Sequence, residues 1–173
     1  VYSKRLKAHS GILHQQIYTS HYYQLFFQHM THKNAWENQG VTHAASRVKA
    51  NILTVDMCPS SHPFEQGFFL QLAKTKPDFP VAISISGMWI LKHLLEFGQL
   101  LDLQSQHRLK ITWVNHSFTH IYYSDLPDKK NFLLTEMVNL DTEIMLTEQI
   151  LLEYGQTPSV FFRFPGLVSN PLL

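Results

Sequence analysis

Four short apolar runs, at residues 51–55, 80–85, 109–114 and 158–163, recur through the last two-thirds of this 173-residue chain, and helical patterns fill the gaps between them. The first gap holds Phe64 to Leu72. The second holds a broad apolar face over 88–100, opened by Gly87. The third holds a longer apolar pattern over about 136–154, which Gly155 is placed to cap. A strand is too short to alternate with helices in this way unless consecutive strands run parallel and the helices cross back over the sheet. The pattern therefore predicts an α/β fold with a mostly parallel sheet, either an open sheet or a (β/α) barrel. In both architectures ligands bind at the C-terminal ends of the strands.

Residues 1–50 follow a different pattern. Ile12, Ile17, Tyr18, Leu25 and Phe26 fall near helical spacing, and Asn38-Gln39-Gly40 reads as a helix stop. This predicts a helical extension over 1–50 ahead of an α/β domain over 51–173. The aromatic cluster Tyr22, Tyr23, Phe26 and Phe27 is read as packing.

The bulk properties remove several classes of function. Fourteen basic and thirteen acidic residues leave the chain near neutrality, without the basic stripe that a nucleic-acid binder carries. No run of eighteen apolar residues offers a membrane span, and no leader of basic, apolar and small residues is visible. Cys58 is the single cysteine, so an internal disulfide is ruled out. Eleven histidines make the chain gain positive charge steeply below about pH 6.

The strand ends carry the chemistry. The run 51–55 is followed by Asp56, the run 109–114 by Asn115-His116-Ser117-Phe118-Thr119-His120, and the last run ends in Arg163. Two imidazoles four residues apart at a strand end can converge on one divalent metal, and imidazole suits zinc and similar first-row ions. Each residue also has a plainer reading. The histidines can be hydrogen-bonded side chains under a loop, Asp56 a helix cap, Arg163 a structural ion-pair partner and Asn115 a turn residue or a hydrogen-bond support. Trp113 reads as core. Trp89, near the end of the run 80–85, is a candidate for stacking on a sugar ring, with packing as the alternative.

Three segments in order resemble the polysaccharide deacetylases, the carbohydrate esterases with NodB homology. Thr54-Val55-Asp56-Met57-Cys58-Pro59 resembles their Thr-Phe-Asp-Asp-Gly-Pro motif. Asn115 to His120 looks like their Asn-His-Ser/Thr-x-x-His motif, and Arg163-Phe164-Pro165 is similar to their Arg-x-Pro motif. The likeness covers about residues 51–170. It implies a distorted or incomplete (β/α) barrel, a metal-dependent hydrolase that removes N- or O-linked acetyl groups from a glycan, and a periplasmic, extracellular or cell-envelope location. It further implies that Asp56 is the general base, that His116 and His120 ligate a divalent metal such as zinc, and that Arg163 pairs with and orients the base.

The resemblance departs from the family at two places. Methionine at 57 stands where the family has its second aspartate, the third metal ligand. Thioether sulfur is a poor partner for zinc, so a weakened metal site is expected, and Met57→Asp is expected to tighten it. Cys58, two residues from Asp56 on an extended strand and so on the same face, is either a candidate extra ligand or a buried apolar-type side chain. The family also continues past its Arg-x-Pro motif to a histidine that protonates the leaving group. No histidine of this chain matches it, and the domain is expected to be cut short at its C-terminal end. A degenerate relative that binds carbohydrate without hydrolysing it is the alternative these departures favour.

Overall fold

The structure is a computed structural model that describes Arg47, residues 51–60 and residues 62–168, almost all of them in the unit Ala50–Leu173. The helical extension and aromatic cluster expected over 1–50 lie outside the described residues, apart from Arg47.

Among the described residues three strands alternate with four α-helices: β1 (Thr54–Met57), α1 (Gln66–Thr75), β2 (Phe79–Ile85), α2 (Gly87–Lys92), α3 (Leu94–Ser105), β3 (Leu109–Asn115) and α4 (Leu140–Glu153). The sheet has the order β1-β2-β3 and is parallel throughout. The fourth apolar run contributes only an isolated parallel bridge, Asn115 with Phe162, instead of a full strand. The described residues form a mixed α/β layer and no closed barrel.

The register aligns the strand ends. Met57 pairs with Ile85, Ile85 with Asn115, and Asn115 with Phe162, so these four residues form a row across the sheet. The backbone ladder runs one residue further: Ser86 N–H donates to the Met57 carbonyl, His116 N–H to that of Ile85, and Arg163 N–H to that of Asn115. The next residues in each segment, Cys58, Ser86, His116 and Arg163, therefore leave the sheet together at its C-terminal end.

Alternation along the strands separates two faces. Met57, Val81, Ile83, Ile85 and Trp113 point into the hydrophobic core, where Phe69 of α1, Ile90 of α2, Phe97 and Leu100 of α3, and Leu151 of α4 cover them. Each large side chain buried there contributes roughly 1.5–3 kcal/mol by leaving water. The opposite face carries Thr54, Asp56, Lys110 and Thr112, all exposed.

Two helices differ from the sequence pattern. The helix expected over 88–100 is split at His93, whose N–H donates to both the Trp89 and Ile90 carbonyls and whose ring stacks on Trp89. His93 so ends α2, and its carbonyl accepts from Phe97 N–H to begin α3. The helix expected from about 136 begins at Leu140, because Asn139 is the better N-cap: its side chain accepts from Thr142 N–H at 2.9 Å. At the other end Gly155, at φ 71°, permits the paired bonds from Gly155 N–H to the Leu152 carbonyl and from Gln156 N–H to the Leu151 carbonyl.

Candidate functional site

Asp56 lies within β1, on the open face, and meets Arg163 from the far side of the sheet. Arg163 Nε stands 2.8 Å from Asp56 Oδ1 and 2.9 Å from Oδ2, so one N–H is shared between both carboxylate oxygens. Both side chains are about one-third exposed, which leaves the carboxylate reachable from solvent.

The two histidines sit on a loop that is tightly held. His116 is 2 % exposed, and its Nδ1 donates to the Arg163 carbonyl at 2.8 Å. That bond sets the tautomer: Nε2 keeps its lone pair and lies 3.6 Å from Cys58 Sγ. The His120 ring packs edge-on against that of His116, with centroids 4.7 Å apart, and against Phe132. Ser117 and His120 both adopt left-handed backbone, at φ 68° and 48°, a conformation that costs a non-glycine residue roughly 1–2 kcal/mol. Several bonds hold the loop there. Glu143 of α4 accepts from Phe118 N–H at 2.9 Å and from Thr119 N–H at 2.8 Å through Oε2, and from the Thr119 hydroxyl at 2.6 Å through Oε1. Thr147 Oγ1 donates to the Ser117 carbonyl. The first N–H groups of α2, those of Gly87 and Met88, donate to the Ser117 and Phe118 carbonyls.

Asn115 is fully buried and ties these parts together. Its Nδ2 donates to the Ile144 carbonyl and to Glu148 Oε1, and its Oδ1 accepts from Ser117 N–H. Two glycines allow close approaches. A Cβ on Gly87 would run into the Phe118 ring, and one on Gly166, at φ 62°, into the Phe132 ring that flanks His120.

Cys58, His116 and His120 offer ligand atoms that all lie within 4.8 Å of one another. Burial pushes the His116 imidazole below its ordinary pKa; the bond to the Arg163 carbonyl opposes this and His120 adds to it. Burial lowers His120 as well, against the pull of its backbone hydrogen bond, Asp56 and Glu143. Both rings are therefore neutral at pH 7, the form that ligates metals. Burial, followed by the charge of Asp56, pushes the Cys58 thiol up, with Arg163 offsetting part of the rise. His120 Nε2 is buried without a hydrogen-bond partner among the described residues. A buried imidazole nitrogen with nothing to bond is costly, and a divalent ion between it and His116 Nε2 would satisfy it. The donor set fits a metal.

The candidates from the sequence thus fall into two adjoining groups, Asp56 with Arg163 and Cys58 with His116 and His120, with Asn115 beneath the histidine loop. Met57 is elsewhere. It is 7 % exposed, points into the core and faces away from Asp56, so an acid at 57, in this orientation, would enter the apolar layer and not reach the histidines. Trp89 is likewise core, 4 % exposed and packed on Phe64 and His93, and no sugar platform. The sequence pattern alone does not mark Glu143, Thr147 and Glu148 as site residues. The signal available was their spacing, which places three polar residues on one stripe of a helix whose apolar residues suggested a greasy face.

No protein-family model matches the chain. Solved structures similar to it include the following three. One is a family 4 carbohydrate esterase from Streptomyces lividans in complex with acetate, 22% identical, with a TM-score of 0.45 over 69% of this chain and 52% of that one. The second is a family 4 pseudoenzyme from Bacillus anthracis, 15% identical, with a TM-score of 0.44 over 69% of this chain and 36% of that one. The third is a mutant of that pseudoenzyme with restored enzymatic activity, 15% identical, with a TM-score of 0.44 over 69% of this chain and 37% of that one. This chain spans about half of the first protein and little more than a third of the others. These three similar structures are thus a carbohydrate esterase of family 4, a pseudoenzyme of that family and that pseudoenzyme's mutant.

Proposed function

We propose that this chain is a divergent polysaccharide-deacetylase-type domain, a metal-dependent hydrolase that removes N- or O-linked acetyl groups from a glycan outside the cytoplasm. One observation carries the reading: an arginine-paired carboxylate stands beside two imidazoles, one buried and one half-buried, at the C-terminal end of a parallel sheet. The open face that bears Asp56 is read as the inner wall of an incomplete barrel. The three motifs, in their order, support the same reading.

The chain's own residues divide the work. His116 and His120 would hold the metal through Nε2, with His116 aimed by the Arg163 carbonyl. A zinc ion held there would supply Lewis acidity to polarise an acetyl carbonyl and make a water easier to deprotonate. Asp56 takes the proton from the attacking water, as a carboxylate fixed within reach can. Arg163 holds that carboxylate by a single shared N–H, which leaves lone pairs on both oxygens to accept the proton.

The reading is tested by incubating the zinc-loaded chain with N-acetylated and O-acetylated glycan oligomers and measuring acetate release. Release that disappears on chelation is the expected result. The second reading, a carbohydrate-binding relative without activity, is favoured by the position of Met57, which leaves the metal without the usual carboxylate. Glycan binding with no acetate release would select it.

A further inference from the structure

If His116 and His120 are metal ligands, as the proposed function requires, a third protein ligand is needed, and Met57 faces the wrong way. Tetrahedral zinc with bonds of about 2.3 Å to sulfur and 2.0–2.1 Å to nitrogen requires donor atoms about 3.4–3.6 Å apart. Cys58 Sγ and His116 Nε2 stand 3.6 Å apart, and His120 brings its nitrogen within 4.8 Å of both. A simple thiol-to-imidazole hydrogen bond accounts for the first contact. It leaves His120 Nε2 buried and unpartnered. A metal ion would satisfy all three atoms once the donors, which lie within 4.8 Å of one another, close to that spacing.

The strand geometry explains how the ligand moved. Asp56 and Cys58 lie two residues apart on one face, while Met57 lies on the other. Asp56 is engaged by Arg163, so the nearest donor free to turn to the histidines is the sulfur of Cys58. We propose that Cys58 is the third metal ligand, making a Cys-His-His site that takes zinc and metals of similar softness in preference to magnesium or manganese. Thiolate and imidazole favour zinc, while hard cations prefer oxygen ligands. Three protein ligands leave a fourth position for a reacting molecule.

Cobalt(II) makes this visible without any activity assay. Titrated into the full chain, it should give a thiolate-to-cobalt charge-transfer band in the near ultraviolet, which zinc should displace and excess magnesium should not. Cys58→Ser should abolish the band. It should also weaken zinc binding by more than the roughly 10–100-fold that the loss of a ligand's supporting hydrogen bond costs, with circular dichroism unchanged. Cobalt bound without the band, together with Cys58→Ser that binds zinc as tightly as the parent, overturns the role of Cys58 and leaves the histidine pair and the proposed function standing. Failure of the chain to bind either cobalt or zinc overturns both. Displacement of cobalt by magnesium overturns the selectivity. Should Cys58→Ser fold poorly, the presence or absence of the band in the unaltered chain still decides the matter.

Discussion

Asp56, Met57 and Cys58 are consecutive, yet alternation gives them three different surroundings. Asp56 meets Arg163, Met57 enters the core, and Cys58 meets His116. Asp56→Asn keeps the shape and the bond from Arg163 but cannot take a proton. Acetate release should fall about a hundredfold or more, while zinc content, measured on the purified variant, should stay at the parent level. Zinc lost with Asp56→Asn would mean that the carboxylate is a ligand and not a base. Met57→Asp is the complementary case. It removes buried thioether packing and places a carboxylate in an apolar layer, so unfolding in denaturant should show a loss of about 2–5 kcal/mol and no gain in zinc affinity. Unchanged stability with tighter zinc binding would mean that the strand can rotate position 57 toward the histidines. The motif comparison alone pointed to that opposite result, because a motif records which residue types occur and not which way a strand end turns them.

At the scale of the element, α4 does the least expected work. Its sequence suggests an ordinary amphipathic helix, and Leu151 and Ile150 do pack on the core. Its buried stripe nevertheless runs Glu143, Thr147, Glu148, Leu151, three polar residues toward the site and one apolar residue away from it. The polar stripe serves the loop 117–120 and Asn115 beneath it: Glu143 accepts from the Phe118 and Thr119 N–H groups, Thr147 donates to the Ser117 carbonyl, and Glu148 accepts from Asn115 Nδ2. Single-sequence patterning cannot reveal this, since the partners are 24 to 33 residues apart and neither segment carries a sign of the other. Met137, which the pattern assigned to the apolar face, is 88 % exposed, since the helix begins after it. Glu143→Ala should leave the Phe118 and Thr119 donors unpaired, at about 1–3 kcal/mol for each buried group. Because the loop carries both histidines, zinc affinity should also drop by roughly 10–100-fold. Glu143→Gln should recover part of both losses. A Glu143→Ala variant with the parent's zinc affinity would show that the loop is held by α2 and Thr147 alone.

At the scale of the whole molecule, what could be read in advance was what local periodicity encodes. β2 and β3 fall within a residue of their apolar runs, and β1 is displaced by only two or three. The parallel order follows from the alternation with helices. The last run, 158–163, has the apolar content of the others but forms one isolated bridge at Phe162, with Ser159 and Arg163 N–H groups donating to the Trp113 and Asn115 carbonyls, because pairing depends on what lies beside a strand and not on its own apolar content. Among the described residues the result is a sheet with helices on one face and a partly buried histidine loop at one end, and this ties fold stability to pH. His116 and His120 have pKa values lowered from 6.5 by burial. Above pH 6.5 both are neutral, folded or unfolded. As the pH falls below 6.5, the unfolded chain takes up protons that the folded chain refuses, so stability falls until the lowered folded values are passed and then levels off. Cys58 acts at the other end, with a thiol pKa raised from 9.0: above about 9 the unfolded thiol ionises first and stability declines again. The metal-free chain should accordingly melt highest between about pH 6.5 and 9. The fall on the acid side should shrink in His116→Gln, and the fall on the alkaline side in Cys58→Ser. Zinc should raise the melting temperature by an amount that grows from pH 5.5 to 7.5, since protons compete for the same nitrogens; at a hundredfold excess over its dissociation constant the gain is about 2.7 kcal/mol. A melting temperature that is flat from pH 7.5 to 5.5 in the absence of metal would mean that the two imidazoles are hydrated in solution, and the buried site described above would then be open.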